Sequence, residues 1–200
     1  VLEIRGGRPL TGRVEVKGAK NLATKAMVAA LLGETESVLR DVPDISDVQV
    51  VRSLLEVHGV TVTDDGDGVL RLDPRGAVSA HMEEIDAHAG ASRIPILFCG
   101  PLLHLLGQAF IPDLGGCRIG DRPIDLNLKA LEALGAEIEI AAGYVKATAP
   151  KGRLSGGEYS FPVVSVGATE NALMAAVLAT EQRQLFNAAR QPEIVGLGHL

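Results

Sequence analysis

One pattern recurs along the chain at a fixed distance, and it restricts the fold more than any single motif. Leu55-Glu56-Val57-His58-Gly59-Val60 is matched 76 residues later by Leu131-Glu132-Ala133-Leu134-Gly135-Ala136, and Pro74 is matched by Pro150 at the same offset. A repeat of this length is the mark of one supersecondary unit used more than once, each copy burying against its neighbours a face it cannot bury alone. A second signal runs in step with it. Gly-Ala followed by a small polar or basic residue occurs at Gly18-Ala19-Lys20, Gly90-Ala91-Ser92 and Gly167-Ala168-Thr169, each time ahead of an apolar segment of helical length, over 21–32, 93–106 and 170–179.

Each apolar segment leads into a short β-like run, at 37–40, 108–111 and 184–186, and then to a proline, Pro43, Pro123 or Pro192, that suits the start of a second helix. Proline is favoured at the first helical position because the N–H it lacks would have no partner there. Gly59 and Gly135 sit where a left-handed residue would stop that helix. Alternating runs then flank turns rich in Gly and Asp, 60–63 with 69–72 and 136–141 with 144–148, which is a hairpin pattern. The unit therefore reads helix, strand, helix, strand, strand, with a further strand leading in; residues 12–16 and 152–161 are the expected leading strands. Two full units and the opening of a third are expected. The first helix of each unit is apolar on nearly all sides, so it belongs inside, with sheets around it.

Composition narrows the function. With 46% hydrophobic and 22% charged residues among 200, the chain is not a disordered tail. A net charge of -6 argues against a nucleic-acid partner, which would call for a basic face. The longest apolar run, 94–106, is interrupted by Gly100, Pro101 and His104 and falls short of a membrane helix. Two cysteines make no disulfide framework, and no basic start followed by an apolar run opens the chain; the cytoplasm is the expected compartment. The chain starts at Val1 and its last segment, 192–200, opens a helix without a C-cap, so a longer parent chain is expected.

The two cysteines differ by context. Cys99 lies in an apolar helix and reads as a small core hydrophobe. Cys117 lies in Gly115-Gly116-Cys117-Arg118-Ile119-Gly120-Asp121-Arg122, where glycines free the backbone and neighbouring guanidinium groups favour the thiolate. It is either a candidate acid, base or nucleophile or a surface loop that happens to carry a thiol. His81 and His88 lack a third ligand at zinc spacing, and His58 and His104 near helix ends read as structural, so no metal site is expected. No P-loop or dinucleotide fingerprint appears, and no cofactor is expected. Four helix starts instead collect anion-binding groups: Lys20-Asn21, Ser92-Arg93, Arg122-Pro123-Ile124-Asp125 and Ser165-Val166-Gly167-Ala168-Thr169. Free N–H groups and a partial positive charge at a helix N-terminus hold phosphates and carboxylates. If the repeat brings these starts to one end, a phosphorylated or carboxylated substrate follows.

The strings Gly18-Ala19-Lys20-Asn21, Gly115-Gly116-Cys117 with Ile119-Gly120-Asp121-Arg122-Pro123-Ile124-Asp125-Leu126, Ser165-Val166-Gly167-Ala168-Thr169, and Asn187-Ala188-Ala189-Arg190-Gln191-Pro192-Glu193-Ile194 together resemble the UDP-N-acetylglucosamine 1-carboxyvinyltransferase family, within the wider enolpyruvyl transferases. The resemblance runs over nearly the whole chain. It implies an inside-out α/β barrel built from β-α-β-α-β-β units, with residues 20–200 forming one barrel domain and residues 1–19 contributing strands to a second, otherwise missing from this chain. It implies transfer of enolpyruvyl from phosphoenolpyruvate to the 3'-hydroxyl of UDP-N-acetylglucosamine, the first committed step of peptidoglycan synthesis. Carried over by position, Cys117 would protonate the methylene carbon of phosphoenolpyruvate; Lys20, Asn21 and Arg122 would hold its phosphate and carboxylate. Arg93 would stand on the nucleotide-sugar side, with Arg122, Pro123, Ile124, Asp125 and Leu126 lining the UDP site and Val164, Ser165, Val166 and Gly167 holding the diphosphate or uridine. One departure stands out: many members carry a lysine just before Ser-Val-Gly, where this chain has Val163 and Val164. That leaves open a relative acting on another nucleotide, as well as a non-catalytic nucleotide-sugar-binding fragment.

Overall fold

The repeat is visible as two copies of one fold. In a computed structural model, which describes residues 3, 5–7, 9–89, 92–112, 114, 124–141 and 143–200, the first copy runs α1 (Lys20–Ala29), a 3-10 turn (Ala30–Leu32), β1 (Ser37–Leu39), α2 (Ser46–Val57), β2 (Thr61–Gly66) and β3 (Val69–Asp73). A helix the repeat does not forecast, α3 (Met82–Ala89), leads to the second copy. That copy comprises a 3-10 segment (Ile94–Phe98), α4 (Cys99–Leu106), β4 (Gln108–Pro112), α5 (Asp125–Ala133), β5 (Glu137–Ala141) and β6 (Tyr144–Thr148). The third begins with β7 (Gly157–Ser160), α6 (Val166–Ala176), β8 (Arg183–Phe186) and α7 (Pro192–His199).

The sheets repeat as well. Their strand orders are β1-β3-β2 and β4-β6-β5, antiparallel throughout, so each hairpin folds back onto the strand that precedes the second helix. The equivalent pairings Val38↔Arg71 and Phe110↔Lys146 fix their registers. In the third unit β7 and β8 are parallel, with α6 as the crossover between them. Strands carry one buried face: Leu70 and Leu72 point inward from β3, whereas Thr61 and Thr63 of β2 and Glu137 and Glu139 of β5 stay exposed. The helices carry the core. Met27, Leu31, Leu54, Leu55, Leu102, Leu103 and Leu131 are essentially inaccessible, and α6 buries Ala168, Thr169, Glu170, Asn171, Ala172, Met174, Ala175 and Ala176. Sheets outside and helices inside is the arrangement expected of an inside-out α/β barrel.

At the centre α4 crosses α6. A Cβ on Gly100 would lie 2.6 Å from the backbone nitrogen of Ala175, so only glycine permits this approach. His104 fixes the crossing by donating from Nε2 to the Ala175 carbonyl at 2.7 Å. Arg183 closes the far end of α6, donating to the carbonyls of Ala179 and Val177. His58 is buried at the end of α2, beside the Val78 carbonyl and stacked on Phe98. Both histidines are structural, as their sequence context indicated, and Cys99 is wholly buried, its thiol pKa pushed up by desolvation.

Three expectations need correction. Residues 12–16 form no strand; Leu10, Val14 and Val16 project into solvent, since no strand among the described residues lies beside them. The segment 93–106 is not one α-helix: residues 94–98 take 3-10 geometry and α4 begins at Cys99. Pro95 and Pro101 explain this, because each falls in the first turn of its own helical segment, where the missing N–H breaks no bond. Pro43 does not open α2, which starts three residues later at Ser46, whereas Pro192 does open α7.

Candidate functional site

Three of the four predicted helix starts meet. A cavity of about 670 Å³ is lined by Lys20 and Asn21 from the start of α1, by Ser92 and Arg93 ahead of the 3-10 segment, and by Ser165, Val166, Gly167 and Ala168 from the start of α6. Each lining segment is held by a local device. A Cβ on Gly18 would strike the Asp41 carbonyl oxygen, to which the Gly18 N–H donates at 3.0 Å. This close approach explains the glycine two residues before Lys20. Ser92 Oγ accepts from the Ile94 N–H at 3.1 Å and turns the chain into the 3-10 segment.

The Ser165 hydroxyl caps α6 by accepting from the Ala168 N–H, the role expected of an N-cap serine. Thr169 donates to the Ser165 carbonyl at 2.7 Å and accepts from the Ala189 N–H at 3.0 Å, while Asn187 Nδ2 donates to the Phe161 carbonyl. The Ser-Val-Gly-Ala-Thr string and the Asn-Ala-Ala string are thus bonded to each other. Their serine, threonine and asparagine hold the turn that presents Ser165, Val166, Gly167 and Ala168 at the cavity wall.

The fourth start contributes differently. Cys117, Arg122 and Pro123 lie outside the described residues. Ile124 packs against the core; Asp125 is exposed, its carboxylate 3.8 Å from the Lys129 ammonium; Leu126 packs with Phe161 and Ala130. None of the three lines the cavity, and neither does Val164, which is 57% exposed. Asn127, in the first turn of α5, lines it instead.

Charges that the motifs did not reveal complete the cavity. Lys20 is paired with Asp47 of α2 at 2.7 Å, and Lys25 of α1 with Glu170 of α6 at 3.6 Å. Glu170 is almost wholly buried; desolvation raises its pKa above the ordinary carboxylate range and Lys25 opposes the rise. Counting Lys20, Lys25 and Arg93 against Asp47 and Glu170, the described lining carries one excess positive charge. Lys25 and Glu170 share a wall because α1 and α6 do, a neighbourhood set by residues 145 apart that no local spacing signals. Among the described residues no cluster of His, Cys, Asp and Glu offers a metal site, and no helix is long and apolar enough to cross a membrane.

The geometry has counterparts among known proteins. Residues 4–200 match the family model described as EPSP synthase (3-phosphoshikimate 1-carboxyvinyltransferase). A UDP-N-acetylglucosamine 1-carboxyvinyltransferase of Novosphingobium aromaticivorans is 50% identical over 98% of this chain and 47% of its own length. That of Sphingopyxis alaskensis is 49% identical over 97% and 46%. The chain thus spans about half the length of the curated relatives it matches. In structure it is similar to the enolpyruvyl transferase NikO from Streptomyces tendae, with a TM-score of 0.78 at 18% identity, covering 96% of this chain and 44% of that one. It is similar also to EPSP synthase from Acinetobacter baumannii, with a TM-score of 0.69 at 16% identity over 92% and 42%. The match over all but the first three residues, on a barrel these two structures share, makes the chain a member of the EPSP synthase (3-phosphoshikimate 1-carboxyvinyltransferase) family.

Proposed function

We propose that this chain is one barrel domain of an enzyme that transfers enolpyruvyl from phosphoenolpyruvate to the 3'-hydroxyl of UDP-N-acetylglucosamine and releases phosphate, in the cytoplasm, at the start of peptidoglycan synthesis. The supporting observation is the meeting of Lys20, Asn21, Arg93 and the start of α6 at one cavity with excess positive charge, in a chain about half identical to carboxyvinyltransferases of that specificity. Both substrates are anions, and bonds from charged donors, roughly twice as strong as neutral ones, suit their oxygens.

In this reading Lys20, Asn21 and Arg122 hold phosphoenolpyruvate, whose phosphate and carboxylate draw Lys20 from Asp47. Arg93, residues 122–126 and residues 164–167 hold the nucleotide sugar. The 3'-hydroxyl gives its proton to a carboxylate base expected from the second domain as its oxygen bonds to C2 of the enol, while C3 takes a proton from Cys117; breaking the C2–O bond to phosphate and returning one C3 proton to a base then restores the double bond. A positioned acid supplies the proton that water delivers poorly to carbon. Residues 20–200 form the barrel and residues 1–19 pack with a second domain. The exposure of Leu10 at 99%, Val14 at 86% and Val16 at 90% supports that division, since isolated apolar side chains at a chain end gain from a partner surface.

The test is phosphate release by the full-length protein given phosphoenolpyruvate and UDP-N-acetylglucosamine. Cys117→Ser is expected to lower the rate at neutral pH by at least about a hundredfold, the usual contribution of a positioned acid; an unchanged rate refutes the assignment. A second reading, a transferase acting on a smaller nucleotide, is favoured by Val163 and Val164, which put no cation ahead of α6. UMP replacing UDP-N-acetylglucosamine as the better acceptor would establish it.

A further inference from the structure

α1 and α6 share two cavities, and a single buried ion pair stands between the two. The 670 Å³ cavity reaches both helices at their N-terminal ends. A second, apolar cavity of about 530 Å³ is lined further along by Ala26 and Ala29 of α1 and by Leu173 and Met174 of α6. Lys25 lines the first cavity and its neighbour Ala26 the second; Glu170 lines the first and Leu173, almost a turn on, the second. The charged ends of Lys25 and Glu170 lie 3.6 Å apart, with 15% and 4% of their side chains exposed. The other ion pair of the cavity, Lys20–Asp47, ties α1 to α2 instead.

Stability alone does not account for such a pair, because well-packed apolar side chains in its place are often neutral or stabilising. What charges add is a preferred separation: pulling them apart in a poorly polarisable interior is costly. An apolar contact bordered by two cavities has no comparable preference and can slide into either space.

We infer that the Lys25–Glu170 pair is a positioning bridge that sets the gap between the phosphoenolpyruvate-holding start of α1 and the nucleotide-holding start of α6. This rests on the reaction proposed above. Lys25 lies four residues after Asn21 and Glu170 three after Gly167, spacings that put each charge on the same helix face as the ligand-holding residue one turn earlier. Neither residue touches the reacting atoms; each acts through its helix. Each substrate is held mainly at its own helix start, so a changed gap leaves the separate affinities nearly intact. It moves the 3'-hydroxyl away from C2 of the enol, and the rate of a bimolecular step depends steeply on that placement.

The test uses the full-length protein with both partners made apolar together, Lys25→Met with Glu170→Leu, which avoids the stranded buried charge that either change alone would leave. Phosphate release gives kcat and the KM for each substrate, and the melting temperature is measured alongside. We expect a melting temperature near the parent's, each KM within about threefold, and kcat about ten- to a hundredfold lower, the loss that a misplacement of about 1 Å brings. A merely structural pair would return activity along with stability, so a parental kcat in the paired variant overturns the inference. So does a rise in either KM as large as the fall in kcat, which would make the pair part of a binding surface. Should the paired variant not fold, Glu170→Gln, of nearly equal size, decides the matter. Its kcat per folded molecule, with folded molecules counted by nucleotide-sugar binding, should fall in the same way, and a parental value overturns the bridge. A parent protein that releases no phosphate refutes the reaction. Crystal structures of the parent and the paired variant then decide the bridge separately, an unchanged distance from Lys20 to Gly167 overturning it.

Discussion

Gly100 and Gly167 are both helical glycines, and the same substitution at the two positions should have opposite signs. At Gly100 an added Cβ would sit 2.6 Å from N, 2.7 Å from Cα and 2.9 Å from Cβ of Ala175. Carbon atoms in good contact lie at about 3.5–4.0 Å, so α4 and α6 would have to separate by nearly 1 Å. No side chain can swing aside, because the obstacle is largely backbone. Overpacking a close-packed interior costs about 1–3 kcal/mol. The 2.7 Å bond from His104 to Ala175 spans the same crossing, and its loss adds about 1 kcal/mol. Alanine returns about 1 kcal/mol through helix propensity. The balance is a loss of about 1–3 kcal/mol for Gly100→Ala. At Gly167 nothing lies within 4 Å of the added Cβ, so Gly167→Ala should be neutral or more stable by up to about 1 kcal/mol. Urea unfolding followed by circular dichroism measures both. A Gly100→Ala protein as stable as the parent would refute the account of the helix crossing. A Gly167→Ala protein that loses stability would refute the open space at the start of α6.

The repeat makes Leu55 and Leu131 equivalent, and both are fully buried; Leu→Ala at either should cost about 2–5 kcal/mol by denaturant unfolding, and a marked inequality would mean that the units are not packed alike. Burial lowers the pKa of His58 and of His104 from 6.5. The folded state therefore binds fewer protons than the unfolded state below that value, and the histidine contribution is present above pH 6.5 and lost as pH falls through the depressed folded values. His104→Gln should flatten that part of a stability-against-pH curve. Glu170 has the opposite sign: with a raised folded pKa, its contribution is full below the ordinary glutamate value of 4.5 and lost as pH rises through the folded value. Glu170→Gln should remove that slope while leaving the histidine slope in place. A phosphonate epoxide resembling phosphoenolpyruvate should label Cys117 and spare Cys99, which is wholly inaccessible; mass spectrometry locates the adduct, and modification of Cys99 would count against the thiol assignment.

What could be read from sequence was whatever is local or periodic. The two hairpins, their turns at Asp67-Gly68 and around Gly143, and the αL glycines Gly59 and Gly135 are each fixed within a few residues of chain, and they appear where expected. The sequence also placed Lys20, Asn21, Arg93 and residues 165–167 at helix starts, and the repeat brings those starts to one cavity. What was hidden depends on pairs far apart in the chain. Gly100 reads as a helix-weakening residue until Ala175 is brought against it. Glu170 is the residue after a recognisable motif, and only its distance from Lys25 gives it a role. Ser165 and Thr169 belong to the expected ligand-binding string, and only the folded turn shows that their hydroxyls also bond the turn itself. The leading strand expected at 12–16 had the right alternation and no strand among the described residues beside it.

The two ion pairs give the cavity its character. Lys20–Asp47 is partly exposed and Lys25–Glu170 is buried, so they differ in what they cost and in what they do. An exposed pair contributes little, about 0–1 kcal/mol, and exchanges partners readily. Lys20 can leave Asp47 for a ligand phosphate at small expense, since Asp47 remains hydrated. A buried pair is held by the penalty of leaving either charge alone, about 3–5 kcal/mol when one partner is removed. Lys25 is therefore tied to Glu170 and is the poorer ligand for an incoming anion. The wall thus separates a mobile cation at its rim from a compensated one at its floor. It follows that Lys20→Met should weaken binding of an anionic ligand with little change in stability. Lys25→Met should lower stability, by less as the pH falls and Glu170 becomes protonated, because the neutral acid no longer needs its counter-ion. Anion titrations and unfolding curves at two pH values separate the two lysines, and equal effects on binding and stability from both would refute this division.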